Sequence, residues 1–418
     1  MGIKKKIIIV GGGFAGINLA KKLDVDLFEV TIIDELNYHQ FQPLFYQVAT
    51  SQIEPSSISF PLRYIFRHRK HIRIRLAKVT SVDTTHNKII TNTGDYEYDF
   101  LVLAMGCKTN YFGNNEVSKH SFSLKTTVES ISLRNHILQV FENIITASDK
   151  EKEALLNIVL VGGGPTGVEL SGAFAEIKKN ILPKDYQGID FSKLEIILVE
   201  GSHNTLNNMS AQAQRISQNY LEKLGVKVLT DAIVTNYDGE TLTLNNKKII
   251  KTKTVIWAAG VTANTISGIP DNCLTRGNRI IVNRYNKMLD SDNIFVIGDQ
   301  SYMETSKYPQ GHPQVANVAI KQAENLAKNL KNILNGEELK EYEYKDYGTM
   351  ATIGKNKAVV DLPFMRLQGF WAWIIWMFLH LMLILSVRNK LIIFINWAWA
   401  YITKNTALRI ILKVDDKE

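Results

Sequence analysis

An α/β fold built from two Rossmann-like units and a C-terminal helical module is predicted by three features of this sequence. A strand–glycine turn–helix stretch opens the chain, "IIIVGGGFAGINL" (Ile7–Leu19). The same grammar returns as "IVLVGGGPTGVEL" (Ile158–Leu170). A tryptophan-rich tail without acidic residues runs from Pro363 to Val414. At 418 residues the chain is too long for one hydrophobic core, so several domains are expected.

Composition narrows the class. A hydrophobic fraction of 45% and a charged fraction of 22% are ordinary for globular chains and argue against long disorder. The two cysteines, Cys107 and Cys273, lie far apart, which fits a reducing compartment and excludes a CxxC motif, a disulfide framework and a zinc cluster. No metal site is expected, and a net charge of +8 is too modest to point to nucleic acid. The start "MGIKKKIIIV" imitates a signal peptide, but glycines break its apolar run after Val10. We read that run as a buried first strand, in a chain that begins in the cytoplasm.

In the first unit, "KIIIV" is the strand, Gly11-x-Gly13-x-x-Gly16 (with Ala15 inside it) the turn, and "INLAKKL" the helix. The first glycine allows a tight turn, the second lets backbone approach a pyrophosphate, and the third lets helix pack on strand. Amides and dipole at the helix N-terminus hold the negative charge. Asp34, ending the next strand "FEVTIID", is placed to accept from a ribose diol. "YDFLVLAMG" (Tyr98–Gly106) closes the unit. "NIFVIGD" (Asn293–Asp299) adds a further strand to it, followed by the helix in "PQVANVAIKQAENLAKNLKNIL".

The second unit repeats the pattern with Gly162, Gly164 and Gly167, and "TVIWAAG" (Thr254–Gly260) closes it. Its acid is Glu200, delayed by a longer helix and loop. A carboxylate there accepts from the 2′-hydroxyl of NAD and repels the 2′-phosphate of NADP, and no arginine follows in "GSHNTLNNMS". NADH should be preferred over NADPH. Two nucleotide sites in tandem suggest electron traffic: one nucleotide held as FAD, the other arriving as a hydride donor, the two facing each other. The expected boundaries are 1–112 with 278–345 for FAD, 113–277 for NAD, and 346–418 for membrane attachment.

In the tail, Phe370–Val387 has no formal charge but is borderline in length for a span, and Leu391–Ile402 is too short. Tryptophans flanked by basic residues suit a headgroup interface whether a helix spans or lies flat. We expect monotopic attachment to an anionic membrane surface, as the family resemblance given next implies, with one true span or a buried soluble core as the alternatives.

The chain resembles the type II NADH dehydrogenases (non-proton-pumping NADH:quinone oxidoreductases) of the two-dinucleotide flavoprotein superfamily. The likeness includes "YHQFQPLFYQVAT" (Tyr38–Thr50), "GGGPTGVELSGAFAE" (Gly162–Glu176), "WAAGV" (Trp257–Val261), "FVIGD" (Phe295–Asp299), "YGTMATIGKNKAVVDL" (Tyr347–Leu362) and "NWAWAYIT" (Asn396–Thr403). The resemblance implies that Gly11, Gly13, Ala15 and Gly16 hold the FAD pyrophosphate and Asp34 the adenosine ribose. It implies that Val79 meets the adenine, Asp299 the ribityl chain, and Ala319 and Ile320 the flavin ring. Gly162, Gly164, Gly167, Glu200 and Gly260 would hold NADH. Glu169 would act near nicotinamide and quinone; a dipole-stabilised helix carboxylate is its bland alternative. An N-cap aspartate is compatible with the role of Asp299, and His380 is either an interior histidine or a quinone contact.

One departure stands out. The family's quinone-side helix reads A-Q-x-A-x-Q, whereas here Asn317 and Lys321 replace both glutamines, and Gln322 is turned about 100° away. The implied activity is NADH oxidation through FAD to a membrane quinone, without proton pumping, on the cytoplasmic face. Dimers are common in the family, so a homodimer follows by analogy. A flavoprotein with another acceptor or a redox-signalling role is the alternative. Sulfide:quinone or disulfide chemistry would require paired cysteines, which the spacing denies.

Overall fold

The computed structural model of the chain describes residues 3–406 and 408–412. Lys413 and Val414, the end of the acid-free tail, lie outside the described residues. In chain order the first elements are β1 (Lys5–Val10), α1 (Phe14–Lys22), β2 (Phe28–Asp34), α2 (Phe45–Ala49), β3 (Ile72–Leu76), β4 (Phe100–Leu103), α3 (Thr127–Thr146) and β5 (Asn157–Val161). There follow α4 (Pro165–Asn180), β6 (Glu195–Val199), β7 (Val226–Leu229), β8 (Thr254–Trp257), β9 (Ile294–Val296) and α5 (Ala316–Asn335). The last are β10 (Thr349–Thr352), β11 (Ala358–Leu362), β12 (Met365–Gln368), α6 (Gly369–Leu383) and α7 (Val387–Thr403).

Two compact units divide the chain. One comprises 1–40, 60–108 and 261–345; the other comprises 41–59, 109–260 and 346–418. These limits differ from the three expected modules. Residues 261–277 pack with the first unit, where the Val82 amide donates to Ser267 O at 2.9 Å. The C-terminal module packs with the second glycine unit, because β10 and β11 lie against its helices.

The first unit holds a sheet in the order β9-β4-β1-β2-β3, every pair parallel. Central strands covered on both faces must be apolar throughout, and β4 is buried at every residue. The return of the chain to add β9 beside β4 follows the sequence reading. Helices α1 and α5 pack on one face, burying Ile17, Leu19, Leu326 and Leu330 with Ile7, Ile9 and Val30 of the sheet. Helix α5 ends at Gly336, whose left-handed φ of 69° suits the one residue without a Cβ.

The second unit repeats the device, with parallel sheet order β7-β6-β5-β8. The antiparallel sheet β10-β11-β12 packs against α4 and leads into α6. Among the described residues no helix is long and apolar enough to cross a membrane. Helix α6 ends at Leu383 after 15 residues, about 22 Å at 1.5 Å per residue and short of a hydrocarbon core of about 30 Å. The single span considered for Phe370–Val387 is therefore not formed.

Candidate active site

Both glycine loops are built alike. Gly11 and Gly162 sit at φ 111° and 109°, where a side chain would be strained, and a Cβ on either would strike the backbone of Ala104 or Ala258. A Cβ on Gly16 or Gly167 would collide with the carbonyl of Gly11 or Gly162, so helix and turn touch only because these residues are glycine. Gly13 and Gly164 face open space. These are cradles whose backbone a phosphate can approach, at the start of α1 and α4.

The acids tie the loops down. Asp34 accepts from the Gly12 amide at 2.5 Å and the Leu36 amide at 2.6 Å. Burial raises the Asp34 pKa, with those amides opposing. Glu200 accepts from the Gly163 amide, and from the Ser202 amide at 2.8 Å. The Ser202 hydroxyl also donates to Glu200 Oε1, so a second lone pair for a ribose hydroxyl stays on both oxygens of Asp34 but only on Oε2 of Glu200.

Three small residues meet in the first unit: a Cβ on Gly298 would lie 3.3 Å from Ala15 and 3.4 Å from Ala319. Ile320 follows Ala319 in the first turns of α5, and Val79 begins the strand Val79–Asp83 beside Lys88–Thr91. Asp299 is not an N-cap; it accepts from the Cys107 thiol at 2.9 Å, while Gln314 holds its carbonyl. Gln322, turned inward, is fully buried and accepts from the Gly298 amide at 2.7 Å and Ser301 at 3.1 Å. Asn317 and Lys321 are exposed, and Lys321 pairs with Glu324 at 2.9 Å.

In the second unit Glu169 is buried on α4, receiving the Thr352 amide at 3.3 Å. Burial pushes its carboxyl pKa up to about 8, opposed in part by that amide and the Trp376 indole. Two cavities share Glu169 and Tyr46 as wall. One, of about 200 Å³, is lined also by Pro165, Thr166 and Met350 at the second glycine loop's helix. The other, of about 180 Å³, runs past Trp373, Trp376 and Trp397 to Glu176, Lys355 and Tyr401. Gly260 closes tightly on the Phe112 ring. His380 stacks on Trp376 at 3.9 Å, bonds its carbonyl through Nδ1 and lines the cavity of about 200 Å³; burial lowers its pKa to about 4.

The pyridine nucleotide-disulphide oxidoreductase family model matches residues 5–323, and the NDH2 C-terminal domain model matches 347–404. A type II NADH:quinone oxidoreductase of Mycobacterium tuberculosis is 31% identical over 96% of this chain and 89% of its own length. The chain belongs to the type II NADH:quinone oxidoreductase family. A Staphylococcus haemolyticus member is 30% identical over 85% of this chain and 89% of that protein. By fold, the Plasmodium falciparum NDH2 structure in complex with NADH superposes with TM-score 0.90 at 22% identity, covering 98% of this chain and 100% of the other. The Aquifex aeolicus sulfide:quinone oxidoreductase shares the fold at TM-score 0.74 and 19% identity, over 96% of each chain.

Within a type II NADH:quinone oxidoreductase, several residues lining these cavities escaped the reading by motif. Gln47 donates to the Tyr46 hydroxyl at 3.0 Å and accepts from the Trp397 indole at 2.8 Å, joining α2 to α7. Nothing local announces that 41–59 packs with residues 350 positions later. Glu176 was legible: seven residues after Glu169, it lies near the same helix face.

Proposed function

We infer that Glu169 is the proton-handling residue of an NADH:quinone oxidoreductase, carried by one observation: a buried carboxyl in the wall common to two cavities. The enzyme oxidises NADH and passes two electrons to a quinone. FAD, when bound, supplies the hydride acceptor and the two-electron donor. The residues fit it: Gly11, Gly13, Ala15 and Gly16 offer an open amide cradle, and Asp34 a ribose acceptor. Val79, Asp299, Ala319 and Ile320 are its further proposed contacts. Gly162, Gly164, Gly167, Glu200 and Gly260 hold NADH by the same device.

With its pKa near 8, Glu169 carries a proton at neutral pH and can deliver it to a reduced oxygen in the adjoining cavity. Tryptophans there exclude water and suit a planar apolar ring. Asn317 and Lys321 are proposed on the quinone side, with Lys321 as donor to a carbonyl. The modules 1–112 with 278–345, 113–277 and 346–418 remain our functional division. Attachment is peripheral, through α6 and α7 on an anionic cytoplasmic membrane face. The homodimer rests on family analogy alone, as does the absence of proton pumping.

Stopped-flow mixing tests the reading. The NADH-reduced protein in detergent should be reoxidised rapidly by menaquinone or ubiquinone analogues. Normal reduction by NADH followed by no response to either quinone would instead establish the alternative, a flavoprotein with another acceptor or a signalling role.

A further inference from the structure

A buried cation in the second unit has no assigned role. Arg134, on α3, is 4% exposed, and its Nε and Nη2 are buried without a hydrogen bond. No ion pair with a carboxylate reaches it among the described residues. Its ordinary partner would be Asp or Glu, since an uncompensated charge is rarely retained in an apolar interior.

Arg134 opens onto a small cavity walled by Ser51, Phe141, Ile181 and Arg409. Arg409 brings a second guanidinium, but Asp185 already neutralises it at 2.6 Å. The cavity therefore carries one uncompensated positive charge. Its free volume of about 10 Å³ admits roughly one water-sized species. Water would satisfy a donor but leave the charge uncompensated; a small anion does both. A carboxylate or phosphate with a body attached does not fit that volume.

We propose that the Arg134 guanidinium binds one inorganic anion of halide size in this cavity. The site sits beneath the segment after α7, where Arg409 reaches Asp185 and Asn135 bonds the backbone of Leu412. Filling it compensates the Arg134 charge and fastens that segment to α3.

The full-length, FAD-loaded protein in detergent is unfolded thermally in chloride or bromide against gluconate at constant ionic strength. The expected result is a saturable, halide-dependent rise in unfolding temperature that Arg134→Met abolishes. Crystals of the unaltered protein grown in bromide should show an anomalous peak at hydrogen-bonding distance from Arg134, so the proposal stays decidable if the variant fails to fold. Water alone at that position overturns it whatever the unfolding curves show, as does a halide effect that Arg134→Met leaves intact.

Discussion

At Glu169 a single side chain combines three conditions: burial, one long backbone hydrogen bond and a place between two cavities. Its folded pKa near 8 lies above the ordinary 4.5, so the folded protein binds the extra proton. That contribution to stability is whole below pH 4.5, drains away as pH rises to 8, and is gone above it. The slope is about 1.4 kcal/mol per pH unit at most. Glu169→Gln should flatten this part of the stability–pH curve in thermal unfolding at pH 6 and 8.5. It should also slow quinone-dependent turnover by about 100-fold, while single-turnover reduction by NADH changes much less. Glu200 makes a different prediction. Glu200→Gln keeps an acceptor for the Gly163 amide and loses the charge facing a 2′-phosphate. The ratio of kcat/KM for NADPH over NADH should rise about tenfold, equivalent to about 1.4 kcal/mol. An unchanged ratio in steady-state assays would remove Glu200 from the ribose site.

Helix α4 shows how elements carry the site. Its N-terminus forms the second glycine loop, Glu169 lies one turn in, and Gly172 lets β10 and its turn come close. A Cβ at 172 would lie 2.6 Å from the Gly354 amide nitrogen and 3.0 Å from Ile353. Gly172→Ala should therefore push the β10 hairpin off α4 and cost roughly 1–3 kcal/mol. A lowered unfolding temperature, with the Thr352–Glu169 bond lost and the Glu169 pKa moved, is the expected outcome. Helix α7 is anchored likewise: Asn389 donates to Ser57 O at 2.9 Å, and Trp397 to Gln47. The uncharged apolar runs Phe370–Val387 and Leu391–Ile402 marked α6 and α7 in the sequence. Their docking partner in 41–59 was not legible, because contacts across some 340 residues leave no local trace.

Over the whole molecule, apolar surface is concentrated on the C-terminal helices. Ala372, Trp376, Ile393 and Trp397 turn inward, while Trp371, Phe378, Ile395 and Trp399 face out. Exposed aromatic surface of this extent marks an interaction face. Vesicle co-sedimentation should show binding to anionic bilayers that weakens with salt. Trp371→Glu with Phe378→Glu should reduce it about tenfold or more. Equal binding to zwitterionic vesicles at high salt would contradict the anionic-surface proposal.

The sequence by itself determined the two parallel units, the glycine cradles, the paired acids and the family, because each depends on neighbours within one βαβ stretch. Tertiary structure alone decided that Gln322 clamps the Gly298 turn, that 41–59 joins the second unit, and that Glu169 is buried where its pKa rises. Those outcomes depend on burial and on partners distant in sequence, which periodicity and motif spacing do not encode.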